Sequence, residues 1–138
     1  MTSRKYDMVI AGGQVIDPKL GFGRDASVFI KDGRIARVEK ESAALHKMLR
    51  SFDHDQIIDA AGRLVVPGLI DVHVHLREPG REDAETIETG CRAAAAGGFT
   101  AVCCMPNTQP ALDRPERIRA LQERARREAL CRVYVAGA

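Results

Sequence analysis

Tryptophan is absent from this chain, and Phe and Tyr together make up only 4% of it. Proteins that hold single-stranded nucleic acid stack its bases on exposed aromatic rings, so the scarcity argues against such a surface. Charge of one sign is also lacking: 21 Lys and Arg face 19 Asp and Glu, a formal net charge of +2. So small an excess gives no general pull toward nucleic acid or an anionic membrane. No apolar run nears the ~20 residues of a membrane span. The basic start, Met1 to Lys5, precedes an apolar stretch broken by Asp7, Gly12, Gly13 and Gln14, which does not read as a signal peptide. The expectation is a cytoplasmic protein with neither a nucleic acid nor a membrane as partner.

Cysteines are few: Cys91, Cys103, Cys104 and Cys131, none at metal-knuckle spacing. They are expected as small buried hydrophobes in a reducing compartment.

What is present falls into two parts. Residues 6–66 carry short β signals and Gly-containing turns. Asp7 to Ala11 and Gln14 to Asp17 flank Gly12-Gly13, and Ala26 to Lys31 and Arg34 to Glu39 flank Asp32-Gly33. An Asp-Gly pair between apolar runs is a strong hairpin signal. Ile57 to Ala60 and Arg63 to Val66 around Ala61-Gly62 suggest another strand pair. In Lys40 to Gln56, Leu45, Met48, Leu49 and Phe52 recur at helical spacing, so a short helix and an ordered loop are both open. His46 and His54 sit there among charges, as solvated surface residues do. Residues 1–66 are expected to be the N-terminal part of a small β domain.

From Pro67 the pattern becomes strand, helix, strand, helix, strand. Leu69 to His75 is the first strand. Asp83 to Ala96 reads as a helix with Ala84, Ile87, Cys91, Ala94 and Ala95 on its buried stripe and Gly97-Gly98 as its stop. Phe99 to Met105 is a continuously apolar strand. Asp113 can cap a second helix with Pro115 and Glu116 in its first turn and Ile118, Leu121, Ala125 and Leu130 facing inward. Its many arginines read as a solvated face, with Glu123 and Arg127 at the stabilising four-residue spacing. Arg132 to Ala138 begins a third strand. Alternating β and α implies a parallel sheet covered by helices. Three strands do not close a barrel, which takes ~250 residues. Residues 67–138 are therefore expected to be the first β/α units of an incomplete barrel, the chain being the N-terminal portion of a larger enzyme.

The chemistry lies in Pro67-Gly68-Leu69-Ile70-Asp71-Val72-His73-Val74-His75. Alternation puts His73 and His75 on one face of the strand end, which makes half of a divalent-metal site. Paired histidines also occur on ordinary strands, but Asp71 and the rim position favour the metal. Arg77 offers a fork for a carboxylate, or is a surface arginine after a strand. Asn107, at the end of the second strand, offers a donor and an acceptor, or serves as a turn residue. Cys103 has the parity to line the same site. Together these suggest attack on a carbonyl in a small acidic substrate.

The run Pro67 to Gly80 resembles the signature of the dihydroorotase family of the amidohydrolase superfamily. Thr89 to Thr100 and Met105-Pro106-Asn107-Thr108 look like its next two blocks, in the expected order. The segment Lys40 to Gln56 is longer than usual for that family. The resemblance implies an α/β fold, a metal-dependent (β/α)8 TIM barrel preceded by a small composite β-sheet domain, here truncated after the third barrel strand. It implies that His73 and His75 bind zinc, one ion or two. It implies that His75, Arg77 and Asn107 bind substrate, the last two through its carboxylate. The reaction would be the reversible hydrolysis of dihydroorotate to N-carbamoyl-aspartate in pyrimidine biosynthesis. The remaining ligands and the proton-shuttling aspartate come from later strands in that family, so no catalytic acid or base is expected in this chain, and by itself it should be inactive. Competing readings are an allantoinase- or dihydropyrimidinase-like amidohydrolase, which would leave Arg77 without a carboxylate, and a non-catalytic partner of aspartate transcarbamoylase. A homo-oligomer is also possible.

Overall fold

A computed structural model describes residues 5–19 and 22–138. Met1 to Arg4 of the basic start lie outside the described residues. The chain divides into two compact units, Met1–Pro67 and Gly68–Ala138.

In the first unit, β1 (Met8–Asp17), β2 (Phe22–Lys31) and β3 (Arg34–Lys40) form an antiparallel meander. The Asp32-Gly33 hairpin forms as predicted, with φ of 50° and 70° at its two residues, the left-handed pair that a tight hairpin turn requires. Two other expectations are corrected. Gly12-Gly13 does not separate two strands, because β1 runs straight through it. Ile10 faces Val28 and Gly13 faces Ala26, so β1 carries one extra residue, a β-bulge. Gly12 adopts φ 72° there and donates its N–H to Ser27 Oγ at 3.2 Å. Nor do the segments around Ala61-Gly62 pair with each other. They form β4 (Ile57–Asp59) and β5 (Leu64–Val65), and both pair in parallel with β1. The turn between them matches the bulge in β1: Ala60 N–H bonds to Ala11 O, and Gln14 N–H bonds to Arg63 O.

The 40–56 segment contains a helix, α1 (Ala43–Leu49), capped by Ser42, whose Oγ accepts from Leu45 N–H at 3.1 Å. Leu45 is buried with Val9 and Phe29, and Met48, Leu49, Phe52 and Tyr6 pack around them. Burying a side chain such as Phe29 contributes roughly 1.5–3 kcal/mol. His46 lies at the surface, 3.1 Å from Glu41. His54 is exposed as well.

In the second unit, β6 (Leu69–Val74), β7 (Phe99–Cys104) and β8 (Arg132–Val135) form a parallel sheet in that order. The crossovers are α2 (Ile87–Ala96) and α3 (Pro115–Glu128). The core joins Leu76, Ile87, Cys91, Val102, Cys104, Leu112, Leu121 and Ala125. Details of both helices differ from expectation. The first begins at Ile87 rather than Asp83, because Thr86 and Thr89 form a capping box. Ala84 and Ala95 consequently face solvent. In the second, Arg114 is the N-cap, Pro115 follows, and Asp113 Oδ1 accepts from Arg117 at 2.6 Å instead of capping. Leu130, beyond the helix end, is 65% exposed. An ion pair along its surface joins Arg124 and Glu128 at 2.9 Å, while Glu123 and Arg127 are exposed. Among the described residues no helix is long and apolar enough to cross a membrane.

Candidate metal and substrate site at the end of the first parallel strand

Strict alternation does not hold along β6. Asp71 faces Val102 and Val74 faces Cys104, so one extra residue is inserted between Asp71 and Val74. A bulge costs the strand a ladder bond. Asp71 compensates, its Oδ1 accepting the N–H of His73 at 2.9 Å. His75 lies one residue beyond the strand. The expected juxtaposition nevertheless occurs: the two imidazole centroids are 5.3 Å apart, edge to face. His73 is exposed and His75 half-buried.

The end of β7 meets this pair. Met105 N–H extends the ladder to Val74 O at 2.9 Å, which sets the following loop beside His75. Asn107 Oδ1 lies 2.9 Å from His75 Nδ1. A carbonyl oxygen only accepts, so this contact places the proton on Nδ1 and leaves the Nε2 lone pair available to a metal. The side-chain amide of Asn107 keeps two N–H donors, suited to a carboxylate.

Arg77 follows in an unusual backbone state, with φ 61°. It is half-buried between two buried neighbours, Leu76 in the apolar core and Glu78, which is 0% exposed. Glu78 is the residue that sequence reasoning missed. Its Oε2 accepts the first N–H of α2, from Ile87, at 2.9 Å, and its Oε1 pairs with the Arg124 guanidinium of α3. No periodicity marks a residue in a turn, and a Glu beside a Pro reads as surface. The turn that follows is tied to the Asn107 loop by Gln109 N–H to Pro79 O at 2.9 Å. Gly80 N–H donates to the Glu82 carboxylate at 2.9 Å, which holds that carboxyl below its ordinary pKa.

His73 and His75 can supply two nitrogen ligands, the donor type that zinc favours. A zinc site takes three or four protein ligands. Among the described residues no cluster of three or more His, Cys, Asp or Glu could hold a metal. The donor set therefore fits part of a zinc centre. Cys103 is half-buried one residue before the carboxyl end of β7, level with Tyr134 of β8.

Comparison with known proteins fits this geometry. The family described as dihydro-orotase-like matches residues 62–137, more than half of the chain. The chain belongs to the dihydro-orotase-like family. Its similarity to the dihydroorotase of Solibacter usitatus (strain Ellin6076) is 50% identity over 131 residues, 95% of this chain and 29% of that protein. The dihydroorotase of Pelotomaculum thermopropionicum is 55% identical over 106 residues, 77% of this chain and 23% of that protein. The chain thus spans less than a third of the length of these relatives. Among solved structures, the L-hydantoinase (dihydropyrimidinase) of Arthrobacter aurescens aligns with a TM-score of 0.80 over 96% of this chain and 28% of its own, at 21% identity, a likeness of fold. The D-hydantoinase of Bacillus sp. AR9 aligns with a TM-score of 0.69 at 30% identity, over 93% of this chain and 26% of its own. The dihydro-orotase-like match contains β6, both histidines, Arg77 and Asn107.

Proposed function

We propose that this chain supplies one side of the active site of a zinc-dependent dihydroorotase, which interconverts dihydroorotate and N-carbamoyl-aspartate in pyrimidine biosynthesis. The observation that carries the reading is the His75–Asn107 contact at 2.9 Å, which joins the carboxyl ends of two adjacent parallel strands. Functional groups of parallel α/β barrels collect at that end of the sheet. The units from β6 to β8 are then the first part of a (β/α)8 barrel, and the antiparallel meander is part of a separate small domain. Further metal ligands, and the acid/base group, would come from other strands of the full-length protein.

His73 and His75 would hold zinc, as one ion or as part of a pair. Zinc so held would supply Lewis acidity, lowering the pKa of water so that hydroxide is available at neutral pH and polarising the carbonyl under attack. The chain's own residues do the rest of what this side requires. Asn107 fixes the ring of His75 in one tautomer. Arg77 grips the substrate carboxylate through its planar fork, and the Asn107 amide donates to the same group. Such anchoring holds the cyclic amide in place for attack.

A hydantoinase-like reaction is the second reading, favoured by the solved structures of similar fold. Arg77 decides between them, since a neutral ring such as dihydrouracil offers no carboxylate for the guanidinium fork to grip. The test is turnover of dihydroorotate and of dihydrouracil by the full-length protein and its Arg77→Ala variant. Faster turnover of dihydroorotate, lost in the variant, supports the assignment, and a preference for dihydrouracil overturns it. A cytoplasmic location, self-association and association with aspartate transcarbamoylase are part of the proposal, the last to be tested by co-purification.

A further inference from the structure

We infer that Glu78, through its ion pair with Arg124, is a positioning residue for substrate binding, because it clamps the turn that presents Arg77. The inference rests on the proposed role of Arg77 as the carboxylate grip.

A non-glycine residue at φ 61° occupies a sparsely populated backbone state, which persists only when its surroundings over-determine it. The surroundings of Arg77 do so from both sides. Leu76 is 3% exposed and seated in the core, and Glu78 is 0% exposed. One Glu78 oxygen takes the N–H that opens α2, and the other takes the Arg124 guanidinium, reaching in from α3. Beyond Glu78 the turn closes through Arg81 N–H to Arg77 O at 2.9 Å and joins the Asn107 loop through Gln109 N–H to Pro79 O. Glu78 therefore ties both helices to the Arg77 turn, and Pro79 next to it joins that turn to the Asn107 loop. Arg124 is 45% exposed on its outer side, so it can be changed without opening a cavity. A buried carboxylate serving only to hold helices together would leave substrate affinity untouched when its partner is weakened. One that positions Arg77 would not.

The experiment uses the full-length protein and compares wild type with Arg124→Gln, Arg124→Lys and Glu78→Gln. Two quantities are read: steady-state kinetics on dihydroorotate, and hydrogen exchange at the Arg81 and Gln109 amides. Arg124→Gln is expected to raise KM about tenfold with kcat within about twofold and bound metal unchanged, and to speed exchange at both amides. Arg124→Lys should recover most of the KM. A fall in melting temperature with KM and the two amides unchanged would overturn the inference, as would equal losses in kcat and KM without faster exchange. If the wild type does not turn over dihydroorotate, the reading of function fails by itself. The exchange data still decide whether the clamp exists, and unchanged exchange in Arg124→Gln and Glu78→Gln would refute it.

Discussion

The side-chain oxygen of Asn107 lies 2.9 Å from Nδ1 of His75, and this contact gives Asn107 two separable duties. Facing the histidine it fixes a tautomer, and in the proposed function its amide would donate hydrogen bonds to the substrate. Partners that orient a ligating histidine typically change metal affinity by 10–100-fold when removed. Asn107→Ala should therefore weaken zinc binding by about that factor and raise KM as well. Asn107→Asp should keep the acceptor for Nδ1–H, and hence the metal, while repelling an anionic substrate. Zinc competition titrations with steady-state kinetics on both variants check this. Equal zinc loss in the two would contradict it.

In the proposed site Arg77 would combine a charged contact to the substrate carboxylate with an unfavourable backbone. Truncating one partner of a desolvated charge pair costs roughly 2–5 kcal/mol. Arg77→Ala should thus lower kcat/KM for dihydroorotate by about 30-fold or more. Arg77→Gly should lose as much activity yet melt no lower than Arg77→Ala, since glycine tolerates φ 61°. Thermal unfolding of the two variants reads the difference.

Burial pushes the Cys91 thiol up to about 12 from an ordinary 9.0, with the neighbouring Cys131 adding to the shift. Burial raises Cys104 also. The thiolate is the species that reacts with alkylating reagents. Iodoacetamide at pH 8 should therefore spare Cys91 and Cys104 in the folded protein, and mass spectrometry of the digest locates the label. The same shift has a sign for stability. The unfolded thiol ionises near 9.0 while the folded one stays protonated, so its contribution is full below pH 9 and is lost as pH rises toward 12. Urea midpoints should fall across that window, and fall less in Cys91→Ala relative to its own value at pH 8.

Gly80 is where the Arg77 turn and the Asn107 loop meet. Its φ is 102°, and a Cβ there would stand 2.3 Å from the backbone oxygen of Gln109. Gly80→Ala should destabilise by about 1–3 kcal/mol. It should also raise KM, because the Arg77 and Asn107 loops must part. Denaturant unfolding with kinetics checks both.

How much of this was legible in the sequence differs from residue to residue. The Asp32-Gly33 hairpin and the strand–helix order from Leu69 onward follow from local rules, and the structure bears them out. The meeting of His75 and Asn107 followed from their places at the ends of adjacent parallel strands. Misjudged elements share one cause, competition for a residue between partners that its local pattern does not reveal. Gly12-Gly13 looks like a turn, yet the β2 and β4–β5 ladders hold it as a bulge. Asp113 has the chemistry of a cap, but Arg117 takes its carboxylate. Glu78 left no local trace at all, since its burial depends on Arg124, forty-six positions later in the chain.

The most direct test of the account is metal content and turnover in one preparation of the full-length protein. It is assayed on dihydroorotate before chelation, after chelation and after zinc is returned, alongside His73→Ala and His75→Ala. The expected result is bound zinc, activity that disappears on chelation and comes back with zinc, and variants that neither retain the metal nor turn over. Undiminished hydrolysis by the metal-free protein or by either histidine variant would contradict it.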